Sequence, residues 1–233
     1  GKLGTFKCGT GRAKPFNAVA RAVIAWHGRG AIGYVPFPDN LVGRYQSFTE
    51  ADVSRLRAFG YDREFLTVEQ GVTRYLDWLN TSRLAGLARD QKNHHGTSWL
   101  LQAAACASLD AKDDRPLTIL RHQFKSATLR AQILSDGTFP RELSTSNPYR
   151  NSLFNLDMLA AICLLLSTRF ESVWTYELQD GPGMRSAIAR HYPFILRRSA
   201  WPYPADATHF NDLPLRQPSL LFCARAYTRP EYD

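Results

Sequence analysis

The sequence predicts an all-α protein of stacked antiparallel helix hairpins, arranged as a toroid. Three observations carry this. Apolar residues recur at i, i+3, i+4 through most of the chain. Gly and Pro clusters punctuate these stretches at short intervals. No stretch shows the strict apolar–polar alternation of a half-buried strand.

Taken from the N-terminus, the first helix is expected over 14–27, where Phe16, Val19, Ala20, Val23 and Ile24 share a face. Residues 28–47 are rich in Gly and Pro and are expected to form a long loop. Thr49 then caps a helix opening TEADVSRLRAF. Residues 63–80 place Phe65, Val68, Val72, Tyr75, Leu76 and Leu79 on one side of an amphipathic helix. A helix over 97–109 is almost wholly apolar after Gln102 and should be buried on most sides. Four more are expected over 116–134, 151–168, 183–198 and 216–226. The breakers between them are Asp136-Gly137, Pro140, Pro148, Gly181-Pro182-Gly183 and the segment WPYPADATHFNDLP. All 233 residues are expected to form a single domain, with enough apolar residues (44%) for a sizeable core.

Composition narrows the partners. The longest apolar run, Met158 to Leu166, is far short of the ~18 residues a membrane span needs, so no membrane is expected. The net charge of +8 favours polyanions. The 29 Lys and Arg are spread without a basic block, and no nucleic-acid motif occurs, so no nucleic acid is expected. Cys106, Cys163 and Cys223 lie in apolar runs as core residues, Cys8 lies in a Gly-rich loop, and no C-x-x-C pair exists. The opening GKLGTFKCGTG has neither Met nor a signal peptide, as expected of a processed or truncated product.

One stretch concentrates polar chemistry: QKNHHGTSW, residues 91–99, at the mouth of the apolar helix. The free N–H groups and dipole of a helix N-terminus favour an anion, so Asn93, His94 and His95 suit the recognition of a carboxylate. Adjacent histidines on a helix point about 100° apart, which does not suit one metal ion. No HExxH, P-loop, G-x-G-x-x-G or G-x-S-x-G pattern occurs, and neither metal nor cofactor is expected.

The segment KNHHGTSWLLQAAA looks like the N-N-H-G-T-x-W segment of the alginate-lyase-like polysaccharide lyases. DGTFPRELSTSNPYRNSLFNLDMLA resembles the family's next segment, an acidic–Leu pair followed by Arg, Tyr and S-x-F-N-L. WPYPADATHFNDLPLRQPSLLFCARAYTRPEY is similar to its C-terminal end. The resemblance runs from about Tyr75 to Tyr227. It implies an incomplete (α/α) toroid, truncated here on its N-terminal side, and a secreted or periplasmic enzyme. It also implies cleavage of a uronate polymer such as alginate, polymannuronate or glucuronan by β-elimination. That chemistry needs a neutralised carboxylate, a base for the C5 proton and an acid for the leaving oxygen.

Residue by residue, the family's first Asn falls on Asn93, its second on His94, and its His on His95. The Arg position falls on Thr145 and the last Tyr position on Asn151, both departures. Tyr149 and Arg150 stand beside the latter as replacements. The resemblance therefore implies His95, His94 and Tyr149 as catalytic groups, with Asn93, Arg150 and Asn151 at the substrate. Trp201, His209 and Arg216 lie on polar loops as further substrate contacts, whereas Trp99 is expected in the core and Arg141 and Glu142 as structural ion partners. Two alternatives stand beside the lyase. A glycoside hydrolase would pair Glu142 with Asp157. A non-catalytic polysaccharide-binding protein would account for the departures at His94, Thr145 and Asn151.

Overall fold

The computed structural model describes residues 9–13, 17, 31–34, 36, 43, 48, 50–66, 68–108 and 113–232. Apart from residue 17, the expected helix over 14–27 lies outside the described residues, as do the Thr49 cap and Cys8. The chain divides into two compact units, residues 1–71 and 72–233. In the first, one short helix, α1 (Ser54–Ala58), is described. The Arg57 guanidinium donates to the carbonyls of Tyr61 and Arg63, holding that stretch out of a helix. The helix expected from 63 therefore begins later.

The larger unit is built from α2 (Val68–Thr81), α3 (Arg83–Arg89), α4 (His94–Ala107), α5 (Arg115–Gln123), α6 (Leu129–Gln132), α7 (Pro140–Leu143), α8 (Pro148–Leu166), α9 (Met184–Leu196) and α10 (Pro218–Tyr227). The all-α class holds: among the described residues the only β pairing is an isolated bridge between Glu177 and Gly183. No described helix is long and apolar enough to cross a membrane.

Several boundaries moved for one reason. Pro140 and Pro148 were expected to break helices, but each opens one. Proline lacks only an N–H that a first helical turn leaves unbonded anyway. The helix expected over 116–134 is interrupted by a π-helical segment, Phe124–Thr128, between α5 and α6.

The core runs along α8. Leu153, Leu156, Leu159, Ile162, Cys163 and Leu166 of α8 are buried, and α8 packs against α4, α7, α9 and α10. The small residues Ala103, Ala104 and Ala107 bury the α4 face. Ala105 is exposed and Cys106 half-buried, so α4 is less enclosed than its composition implied. Trp99 is buried as expected, its indole N–H donating to the Leu79 carbonyl at 2.9 Å. Cys163 and Cys223 are free and buried, and burial pushes the Cys223 thiol up to about 12.

His191 of α9 is a core histidine. Its ring stacks on Phe139 at 4.7 Å, and Nδ1 lies 2.8 Å from the Ala187 carbonyl. Burial lowers its pKa from 6.5 to about 4. The unfolded chain therefore takes up this proton first as pH falls. Its stability contribution is complete above pH 6.5 and lost between about 6.5 and 4. The loss should reach up to about 3 kcal/mol by pH 4. Denaturant midpoints from pH 7 to 4 should fall more steeply for the native protein than for His191→Gln. Equal slopes would refute it.

Candidate active site

The mouth of α4 is closed from two sides. Asn93, extended at φ −145°, caps the helix: its side-chain oxygen accepts from the His95 N–H at 3.1 Å. Its carbonyl accepts from the N–H groups of Gly96 and Thr97. The remaining first-turn N–H, that of His94, donates to Glu142 Oε1 at 2.5 Å. Gly96 is required here, because a Cβ would lie 2.1 Å from the Gln91 carbonyl oxygen.

Glu142, on α7, is fully buried. Its second oxygen lies 2.8 Å from His94 Nδ1. A carboxylate at that distance places the proton on Nδ1 and leaves Nε2 as the free ring nitrogen. The helix mouth was expected to recognise a carboxylate, and it does so with the protein's own. No N–H of the first turn is left for a substrate carboxylate.

The His94 ring meets the edge of Phe154 at 5.9 Å and the His95 ring at 4.3 Å. His95 is exposed, and its ring makes no hydrogen bond among the described residues. Behind the pair runs a buried amide chain. Gln132 Nε2 donates to the Asn93 carbonyl at 2.9 Å, and Asn155 Nδ2 donates to Gln132 Oε1 at 3.2 Å. The Asn of S-x-F-N-L thus steadies the α4 cap.

Thr145 and Asn151, the two departures, are bonded to each other: Asn151 Nδ2 donates to Thr145 Oγ1 at 3.1 Å. Thr145 in turn donates to the Glu142 carbonyl at 2.7 Å. On α8, Arg150 and Asn151 lie one turn before Phe154, on the same stripe. Phe154 touches His94, so that stripe faces the histidine pair. The half-buried Arg150 guanidinium has no ion pair among the described residues.

Tyr149 and Trp201 correct the sequence expectation. Tyr149 is 1% exposed. Its hydroxyl donates to the Phe194 carbonyl at 3.2 Å, and its ring meets Trp201 and Phe210 edge-on. Burial pushes its phenol pKa up, away from use as a base. The cause is Pro148: by opening α8 it carries Tyr149 into the first turn, on the side away from Phe154. Trp201 is likewise buried, donating to the Pro204 carbonyl at 3.2 Å and packing on Phe194 and Tyr203. Neither ring faces the histidine pair.

His209 sits on an exposed loop at φ 58°, with Nδ1 3.1 Å from Asp212. Its loop is tied to the approach to α8, since Ala207 N–H donates to the Ser146 carbonyl at 2.9 Å. Arg216 is exposed. No described contact joins either residue to the histidine pair. The structure thus gathers Asn93, His94 and His95, sets Arg150 and Asn151 on the α8 stripe that faces them, adds Glu142 and Phe154, and leaves Tyr149 and Trp201 in a separate aromatic cluster. Among the described residues no group of three or more His, Cys, Asp or Glu is placed to hold a metal ion.

Comparison with known proteins bears on this arrangement. A solved structure of an alginate lyase from Bacteroides ovatus superposes with a TM-score of 0.62 at 24% identity, covering 70% of this chain and 43% of that one. The match shows the fold, and this chain spans less than half the length of that protein. The family model described as alginate lyase matches residues 64–201, more than half of the chain. That span contains both the His94–His95 helix mouth and the Glu142–Asn155 segment, and the chain belongs to the alginate lyase family.

Proposed function

We propose that the chain is a polysaccharide lyase that cleaves an acidic, uronate-containing polysaccharide by β-elimination, acting as a secreted or periplasmic protein. The observation that carries this reading is the His94–Glu142 pair beside the unbonded ring of His95. The exposed His95 imidazole takes the C5 proton of a bound uronate. The C4–O4 bond breaks, C4 and C5 become doubly bonded, and His95 returns the proton to the departing O4. Removal of a proton beside a carboxylate is feasible only if that carboxylate is neutralised. Arg150 and His94 are the candidates. When His94 carries both protons, Glu142 holds the one on Nδ1, and Nε2–H donates into the site. Asn93 and Asn151 supply further polar contacts. The net charge of +8 draws a polyanion to such a site.

The hydrolase alternative loses its second carboxyl. Asp157 accepts from the Ser219 N–H at 2.9 Å at the mouth of α10, and Glu142 is buried against His94. The non-catalytic alternative rests on Thr145 and Asn151 satisfying each other where the family carries Arg and Tyr. One assay separates the three. Incubation with alginate, polymannuronate and glucuronan should raise the ultraviolet absorbance of an unsaturated uronate end. New reducing ends without absorbance would mean hydrolysis. Polymer retained with no product would mean binding alone.

A further inference from the structure

The neighbouring faces of α2 and α4 carry groups that the proposed chemistry does not use. Tyr75 and Trp78 of α2 are 41% and 44% exposed, and their rings stack at 5.7 Å with 18° between planes. A single exposed aromatic is ordinary, but two stacked on each other form a preset apolar platform. On the α2 helical wheel, Trp78 falls between Arg74 and Tyr75, about 40° from the first and 60° from the second. Arg74 is exposed and has no ion pair among the described residues.

The platform is fastened to the helix that carries the histidines. Tyr75 donates its hydroxyl to Gln102 Oε1. Gln102 Nε2 donates to the Ser98 carbonyl and hydroxyl, each at 3.1 Å. The glutamine amide is thus locked from both ends. The Tyr75 oxygen is held with its lone pairs free to accept. His95, Ser98 and Gln102 stand at i, i+3 and i+7 on α4, one continuous face. From His95 to Gln102 the helix rises about 10 Å, so the platform stands beyond a single sugar ring from the histidine pair.

We propose that Arg74, Tyr75 and Trp78 form a remote subsite for one hexuronate residue of the bound polysaccharide, with Gln102 as its positioning residue. The sugar's C–H face lies on the Trp78 ring, as aromatic rings accept such apolar faces. Its carboxylate pairs with Arg74, and a hydroxyl donates to the Tyr75 oxygen. Continuity with the histidine pair along α4, and an unpaired cation beside an aromatic face, favour an acidic sugar over a peptide or a second copy of the chain. The inference rests on the reading of the histidine pair as a uronate site.

The test uses the full chain and hexamers and trimers of β-1,4-linked mannuronate and glucuronate. Binding is followed by calorimetry and cleavage by ultraviolet absorbance. Trp78→Ala should weaken hexamer binding about tenfold and raise the hexamer KM similarly, with kcat within twofold and the trimer little affected. Arg74→Gln should weaken uronate-hexamer binding about threefold, leave the neutral glucose hexamer unaffected, and so narrow the discrimination between them by the same factor. This exposed substitution decides the matter if Trp78→Ala does not fold. Hexamer affinities within twofold of the native protein would overturn the subsite. Binding of neither hexamer by the native protein would do the same. Cleavage without any effect of the variants leaves the lyase reading standing and removes the subsite. Trp78-dependent binding without any product does the reverse.

Discussion

Glu142→Gln should lower turnover by about 10²- to 10⁴-fold while the protein stays folded. The amide keeps the shape of the buried side chain but brings its own donors toward His94, whose N–H and Nδ1–H both point there. One of them loses its acceptor: with an amide N–H facing Nδ1, the His94 ring keeps its proton on Nε2 but has no partner to hold a second on Nδ1, and so no longer offers the doubly protonated form that neutralises a uronate carboxylate. Exchanging carboxylate for amide behind a histidine has an effect of this order in the serine-protease triad, which sets the upper figure. Glu142→Ala should go further and cost about 2–4 kcal/mol, because it leaves two donors of a helix mouth without acceptors beside a cavity. The discriminating measurement is kcat against KM for Glu142→Gln. A normal kcat in a folded variant would make Glu142 only a helix cap.

His95→Ala should lower turnover by about 10²-fold or more, the scale of general acid–base catalysis. Binding should change much less. Melting temperature should hold, because the ring is exposed and unbonded, and the His95 backbone N–H, which alanine retains, carries the cap bond to Asn93. The capping contribution belongs to Asn93 instead, where alanine should cost about 1 kcal/mol. Initial rate and melting temperature on the same His95→Ala protein decide it. A destabilised but fully active protein would remove His95 from the chemistry.

The apolar faces of α4, α8 and α9 were legible because burial imposes helical spacing on the sequence itself. Trp99 and the His94–His95 mouth followed from the same pattern. What could not be read is how helix mouths are closed at long range. The His94 N–H goes to Glu142, the N–H groups of Tyr149 and Arg150 go to Asp206, and that of Ser219 goes to Asp157. These partners lie 48, 57 and 62 residues away for His94, Tyr149 and Ser219. A local capping residue leaves a signature within four positions, and a distant carboxylate leaves none. Glu142 was therefore expected as a structural ion partner with no link to His94, and Tyr149 was expected as a catalytic group beside Asn151. The acidic–Leu pair Glu142-Leu143, within the segment that resembles the family, was the signal available for the first. The Pro at position 148, an allowed first helical residue, was the signal for the second.

The π-helical segment Phe124–Thr128 carries a consequence for how this gene can vary. It lies inside an otherwise continuous helical stretch that ends at Gln132. Loss of a single codon within it would let the stretch relax to regular α-helix, a local improvement in backbone geometry. Because the wide turn is what holds the extra residue, the same loss would leave Gln132 on nearly the same side of the axis, whereas a deletion in the regular turns beside it would swing Gln132 by about 100°. Gln132 would in that second case release both the Asn93 carbonyl and Asn155, and the cap beneath the histidine pair would lose its buried support. The wide turn is thus the one place in this stretch where length can change by a residue without cost to the site. Homologous genes that keep the Asn93–Gln132–Asn155 chain should place single-residue gaps within Phe124–Thr128 rather than in the turns beside it.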